Sequence, residues 1–178
     1  MVTLKGEHIF LRALEPEDLD FVYEVENNES LWHLSHTQTP YSRFLIKQYL
    51  ENAHQDIYEA KQLRLVISSY ENVPLGFIDV FDFDFKNKRA GIGIVITDNK
   101  KRSQGFGKEA LSLLVGYCFE HLHLHQLFCN VSEDNEWSLK LFKTQGFQIV
   151  GLKKDWTFAN HNFKNEYLLQ LINTKDVH

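Results

Sequence analysis

The sequence predicts a single mixed α/β domain, with a sheet carrying helices on its faces. Its 178 residues suffice to bury one full core and are short for two. An apolar share of 43% and a charged share of 24% match an ordinary globular protein. Segments of period two and period 3.6 follow one another in the order β, α, α, β, β, β, α, β, α, β, β. No repeat, linker or low-complexity tract divides them, so residues 1–178 read as one domain.

His8–Leu14 alternates and reads as a half-buried strand. Glu15-Pro16-Glu17-Asp18 opens a helix, with Pro in its first turn and acids at the positive end of its dipole. Leu19, Val22 and Tyr23 form the inner stripe of that helix. Asn27–Pro40 reads as a loop or short helix. A second helix starts near Ser42, and its apolar stripe runs from Leu45 through Ile46, Tyr49, Leu50 and Ala53 to Ile57. Leu63–Ser69 and Leu75–Phe81 form a hairpin about Glu71-Asn72, followed by a charged connection, Asp82–Lys88.

Arg89–Thr97, apolar on both faces, is a central strand. Leu111, Leu114, Val115, Cys118 and Leu122 mark an amphipathic helix, and Gln126–Val131 a buried strand. Asn135–Gln145 is a short helix ended by Gly146. The tail is β-rich: Phe147–Leu152, then two strands about the turn at Ala159-Asn160-His161-Asn162.

A net charge of −5 argues against a general nucleic-acid binder and suits a small-molecule partner. No apolar run approaches the roughly 18 residues that cross a bilayer, and the N-terminus has no secretory pattern. The cytoplasm is therefore the expected location, with no membrane partner. Cys118 and Cys129 have no metal-type spacing and read as reduced core thiols. His121, His123 and His125 alternate, but they span a helix end and a strand start, so no shared metal-binding face is expected.

The chemistry starts at Arg102-Ser-Gln104-Gly105-Phe106-Gly107-Lys108, where two glycines stand at a helix mouth. A strand, a glycine turn and a helix N-terminus together present free N–H groups to an anion. Glycines let a bulky anion come close, and Lys101, Arg102 and Lys108 add positive charge. A plain helix-entry turn with solvated basic residues fits the same stretch equally well. A P-loop is excluded, since no Gly-x-x-x-x-Gly-Lys-Ser/Thr occurs. A dinucleotide fingerprint fails because Gly91 and Gly93 lie within a strand and lack the third glycine.

Arg102-x-x-Gly105-x-Gly107 resembles the R/Q-x-x-G-x-G/A motif of the GNAT superfamily of acyl-CoA-dependent N-acyltransferases. AGIGIVIT resembles the strand before that motif, and Asn135-x-x-Ser138-x-x-Leu141-Phe142 with Gly146-Phe147 the N-x-x-S-x-x-L-Y…GF signature. LRALEPEDLDFVYEVENN resembles the opening of the branch holding spermidine and ribosomal-protein N-acetyltransferases. The likeness covers about Leu11 to Ile172.

That resemblance implies a mostly antiparallel twisted sheet, splayed between two central strands and flanked by about four helices. It implies acetyl-CoA as co-substrate, with its pyrophosphate on Arg102, Gln104, Gly105, Phe106, Gly107 and Lys108. The pantetheine arm would pair with Ile94, Val95 and Ile96, and Asn135 and Ser138 would hold its polar atoms. Asn135 is equally suited to capping a helix. The backbone N–H of Val95 would stabilise the oxyanion.

The usual tyrosine acid is replaced by Phe142, which has no proton to give, and the general acid stays unassigned. A thiolate leaves tolerably near neutral pH, so an enzyme is still expected. Asp79 and Asp82 are candidates for holding a cationic amine or taking its proton through water; Glu26 and Glu29 are weaker ones. Asp84 reads as a solvated strand edge. Gly91 stands where many relatives carry a glutamate. Trp32, Trp137 and Trp156 read as packing residues, Trp32 in a loop near the acceptor. The expected activity is acetyl transfer to a primary amine of a polyamine-like metabolite or a protein N-terminus. The alternative is an acyl-CoA-binding module with little transferase activity. A homodimer is expected from resemblance, and no metal.

Overall fold

A computed structural model describes residues 2–176. Seven strands form one sheet: β1 (Ile9–Ala13), β2 (Leu63–Ser69), β3 (Pro74–Asp84), β4 (Arg89–Ile96), β5 (Gln126–Ser132), β6 (Gln148–Ala159) and β7 (Asn162–Ile172). They lie in the order β1-β2-β3-β4-β5-β7-β6, which puts β4 at the centre. Every pairing is antiparallel except β4 with β5.

Four helices of eight or more residues flank the sheet: α1 (Leu19–Glu26), α3 (Arg43–Glu51), α6 (Phe106–Gly116) and α7 (Glu136–Thr144). Three four-residue turns, α2 (Trp32–Ser35), α4 (Ile57–Ala60) and α5 (Asn99–Arg102), lie between them. Among the described residues no helix is long and apolar enough to cross a membrane.

Strand alternation divides the core in two. Val66, Phe77 and the partly buried Val95 pack with Val22 of α1 and Ile46 of α3. Ile67, Ile78, Ile92 and Ile96 face the other way, onto Ala110, Leu111 and Leu114 of α6. Arg12 of β1 holds the start of α1 by a two-pronged ion pair to the buried Asp18, 2.8 Å on each prong. Burial alone would raise the Asp18 carboxyl, but the hydrogen bonds and charge of Arg12 and the Glu15 N–H bring it below its usual value.

Several boundaries differ from the sequence reading. The helix expected to reach Ile57 stops at Glu51, and Asp56 caps a new turn by accepting from the N–H groups of Tyr58 and Glu59. The break has a cause: Ile46 and Ile57 serve opposite faces of the sheet, so no single helix buries both. β3 runs on to Asp84 through a bulge, at which Asp82 takes a φ of 47°. The three expected tail segments are two long strands, with Asn160 and His161 both at positive φ in their turn. The glycine turn follows α5 rather than the strand directly. After Gly116, α6 widens into a π turn, in which Leu122 N–H donates to Tyr117 C=O.

Candidate active site

β4 and β5 pair only at Arg89–Gln126, Ala90–Leu127 and Gly91–Phe128, and then diverge. Beyond Gly91 the edge of β4 toward β5 makes no ladder. Alternation decides which groups face that gap. Thr97 N–H donates to Leu75 C=O on β3, so residues 91, 93, 95 and 97 direct their backbone groups at β3. Ile94 and Ile96 face the gap instead, and the Ile96 carbonyl accepts from Arg102 Nε at 3.2 Å. This corrects the expectation for Val95: its N–H belongs to the β3 ladder, and the donor exposed to the gap is Ile94. Val95 does line the resulting cleft of about 500 Å³; Ile96 does not.

The mouth of α6 lies near the end of β4, where Arg102 reaches the Ile96 carbonyl, and residues 102–109 do not line the cleft itself. The first helical bond there goes from Glu109 N–H to Gly105 C=O, 3.1 Å, so the N–H groups of Phe106, Gly107 and Lys108 have no intrahelical acceptor. Gly105 holds φ +82°, and a Cβ there would meet nothing within 4 Å. Gly107 is small for another reason: a Cβ would come within 3.0 Å of the Trp137 ring. Arg102 lies over that ring at 5.5 Å. Gln104 and Lys108 are exposed, and Phe106 packs against the core. Glu109 fastens this helix to β1, accepting from His8 N–H at 2.9 Å and Ile9 N–H at 3.3 Å.

α7 borders the cleft with Asn135, Ser138 and Phe142. Asn135 Oδ1 caps the helix by accepting from Ser138 N–H, 3.1 Å, as its second reading anticipates. Phe142 is 3% exposed and packs edge-on against Phe147.

The opposite wall carries charge. Asp79 accepts from Arg64 Nε at 2.8 Å and Nη2 at 3.1 Å, and Glu26 takes the Arg64 Nη1 at 2.5 Å. Burial opposes the Arg64 charge, but Asp79 and Glu26 outweigh it and hold the guanidinium more firmly protonated than usual. Asp79 is therefore in the cleft but bound on both oxygens, which removes it as a free base. Asp82, exposed on its bulge, and Glu29 do not line the cleft. Asp84 accepts from the backbone and side-chain amides of Asn87, which lower its carboxyl.

The Phe81 ring occupies the place of the missing glutamate: a Cβ on Gly91 would lie 2.2 Å from it. Trp32 lies outside the cleft lining, its indole N–H donating to Glu26 C=O at 2.8 Å. It thereby fixes the turn bearing Leu31, His33 and His36, which do line the cleft. Trp137 packs against Gly107, while Trp156 is exposed beneath Lys153. Cys118 and Cys129 are buried, and burial pushes the Cys118 thiol up to about 12. His121 stacks on Tyr117, and no metal-holding group of three His, Cys, Asp or Glu occurs among the described residues.

Arg64 was missed by the sequence reading, and its signal was available. It shares a strand face with Val66, and a charged residue on a buried face demands a partner. His33, His36, Lys164 and Glu166 carry no such pattern, because one turn and the last strand bring them together.

Residues 8–148 match the acetyltransferase (GNAT) domain family. The spermidine N(1)-acetyltransferase of Vibrio cholerae is 26% identical over 171 residues, covering 93% of this chain and 95% of the relative. That of Escherichia coli K12 is 26% identical over 155 residues, covering 87% and 81%. A crystal structure of the Vibrio cholerae spermidine N-acetyltransferase in complex with CoA and spermine superposes with a TM-score of 0.85 at 20% identity, over 96% and 98% of the two chains. Its fold is this fold. The chain belongs to the GNAT family and is an acyl-CoA-dependent acetyltransferase.

Proposed function

We propose that the protein transfers the acetyl group of acetyl-CoA to a primary amine of a small cationic, polyamine-like metabolite, by direct attack on the thioester. The observation that carries this reading is the divergence of β4 from β5 beside the open N–H groups of α6. The residues suit the co-substrate. A pyrophosphate fits the N–H groups of Phe106, Gly107 and Lys108, with Arg102, Gln104 and the open space at Gly105 around it. The edge at Ile94 and Ile96 suits an extended arm, and Ser138 offers it a hydroxyl. Bound there, acetyl-CoA supplies an activated acyl group. Ile94 N–H is then the donor for the oxyanion, in place of Val95.

An amine acceptor is supported by the acidic groups Glu26, Asp79 and Glu166 in the same cleft, and by relatives named for spermidine. A protein N-terminus is the alternative acceptor. We take residues 1–178 as one catalytic domain working in the cytoplasm, with a homodimer as the smallest assembly. The related Vibrio cholerae enzyme has a dodecameric structure.

Phe142 favours one competing reading, an acyl-CoA-binding module with little transfer. The experiment is incubation with acetyl-CoA and a panel of polyamines, other amines and N-terminal peptides, reading free thiol. Amine-dependent thiol release, greatest with polyamines, is expected. CoA binding with no release across the panel establishes the module instead. Phe142→Tyr is expected to change kcat less than about tenfold, since a thiol of pKa near 8.5 departs without a strong acid.

A further inference from the structure

We infer that the proton of the incoming amine is taken by the histidine pair His33 and His36, through water, and not by a carboxylate; this rests on the amine-acetylating reading above. A primary ammonium of pKa about 10.4 reaches the site charged and cannot attack until it loses a proton. The better acceptor is a group with no cation partner, because a paired cation holds a carboxylate in its charged form and weakens it as a base. The carboxylates in the cleft fail that condition. Asp79 and Glu26 share Arg64. Glu166 pairs with Lys153 Nζ at 2.7 Å, and Lys164, the other basic group of the wall, pairs with Asp134.

His33 and His36 line the same cleft as Ile94 and Val95. Among the described residues their imidazoles make no ion pair and no hydrogen bond. Both are exposed on one short turn, His33 within it and His36 as its left-handed C-cap at φ 56°. The turn is held at both ends, by the Trp32 indole on Glu26 C=O and by His36 N–H on Trp32 C=O. Imidazole is the side chain whose ordinary titration range suits proton uptake near neutral pH. The facing charges are Glu26, Arg64, Asp79, Lys164 and Glu166, and their pairing leaves the histidines as the adaptable groups.

The proton balance closes. One ammonium proton passes through water to an imidazole and on to solvent. The free amine forms the C–N bond as the C–S bond breaks, and the departing sulfur takes the second nitrogen proton, leaving an amide and a thiol.

The test compares the wild type with His33→Asn, His36→Asn and the double variant. It reads kcat/KM by thiol release from pH 6.5 to 10.5, and CoA affinity by calorimetry. The expected double variant binds CoA within twofold of the wild type and loses at least about tenfold in kcat/KM at pH 7. That loss shrinks toward pH 10.5, where the amine ionises itself. An undiminished rate at pH 7, or a loss equal at every pH, overturns the assignment. A wild type with no amine-dependent thiol release defeats the acetylation reading instead, so the two failures are distinct.

Discussion

Gly91 shows how much one missing side chain determines. The Phe81 ring crosses its Cα so closely that no Cβ fits, and the same ring meets Phe128 edge-on at 5.7 Å across the narrow end of the cleft. An acidic base at this position and an aromatic ring above it are mutually exclusive. Gly91→Glu is therefore expected to lower stability by about 1–3 kcal/mol through overpacking. Phe81→Ala should reverse part of that loss in the double variant, a coupling that thermal unfolding of the single and double variants measures. Gly91 was legible as a departure from the family pattern, but the ring that fills its place was not. Phe81 lies ten residues away on another strand, and only the register that pairs the two positions brings them together.

At the scale of elements, the β4–α5–α6 junction is the best-read part of the chain. Gly105 and Gly107 announced a helix mouth, but the structure separates their roles. Gly105 gives the backbone its positive φ over open space, while Gly107 makes room for Trp137. Gly105→Asp is expected to abolish CoA binding in calorimetry, because a carboxylate then stands where the anion would sit. It should keep the native far-UV spectrum, with a stability loss of about 1–2 kcal/mol for the left-handed backbone. Native folding with unchanged affinity would remove the pyrophosphate from this turn. The helix from Ser42 was read too long for a related reason. Periodicity records apolar spacing but not which sheet face each residue serves, and Ile57 crosses to the other core. The donor at Val95 went astray by one residue, and in a strand one residue is the difference between the two edges.

Across the whole molecule, carboxylates fasten the helices to the sheet, and that fixes the response to acid. Asp18 on Arg12, Glu109 on the β1 amides and Asp134 on Lys164 all lie below their ordinary values. For Glu109, burial pulls upward but the His8 and Ile9 N–H groups outweigh it. A lowered carboxylate contributes stability in full above its unfolded pKa of about 3.9 for Asp or 4.3 for Glu, and loses it as pH falls through the lower folded value. Melting temperature is therefore expected to hold down to about pH 5 and fall steeply below it. Asp18→Asn should melt lower at pH 7 and show a shallower acid decline. Equal slopes for the two proteins would remove Asp18 from the acid response. Composition and element order made this single sheet legible in outline; the partners of Arg64, Asp79 and Glu26, and the histidine turn beside them arise only when the distant segments meet.

The parting of β4 and β5 has a consequence for how the protein keeps company. Unpaired strand edges recruit strands from other chains, and proteins usually blunt them with charge, proline or a bulge. These two edges lie in the middle of the sheet, flanked by the Trp32 turn and α7. β4 and β5 remain paired at Gly91–Phe128 and part only beyond it, so the opening narrows at one end to a single strand spacing of about 4.8 Å. A strand from another chain would have to thread between β4 and β5 to pair there, instead of lying along an outer edge. The opening proposed for a pantetheine-like arm is thus set inside the sheet, away from the outer edges along which copies of a protein add to one another.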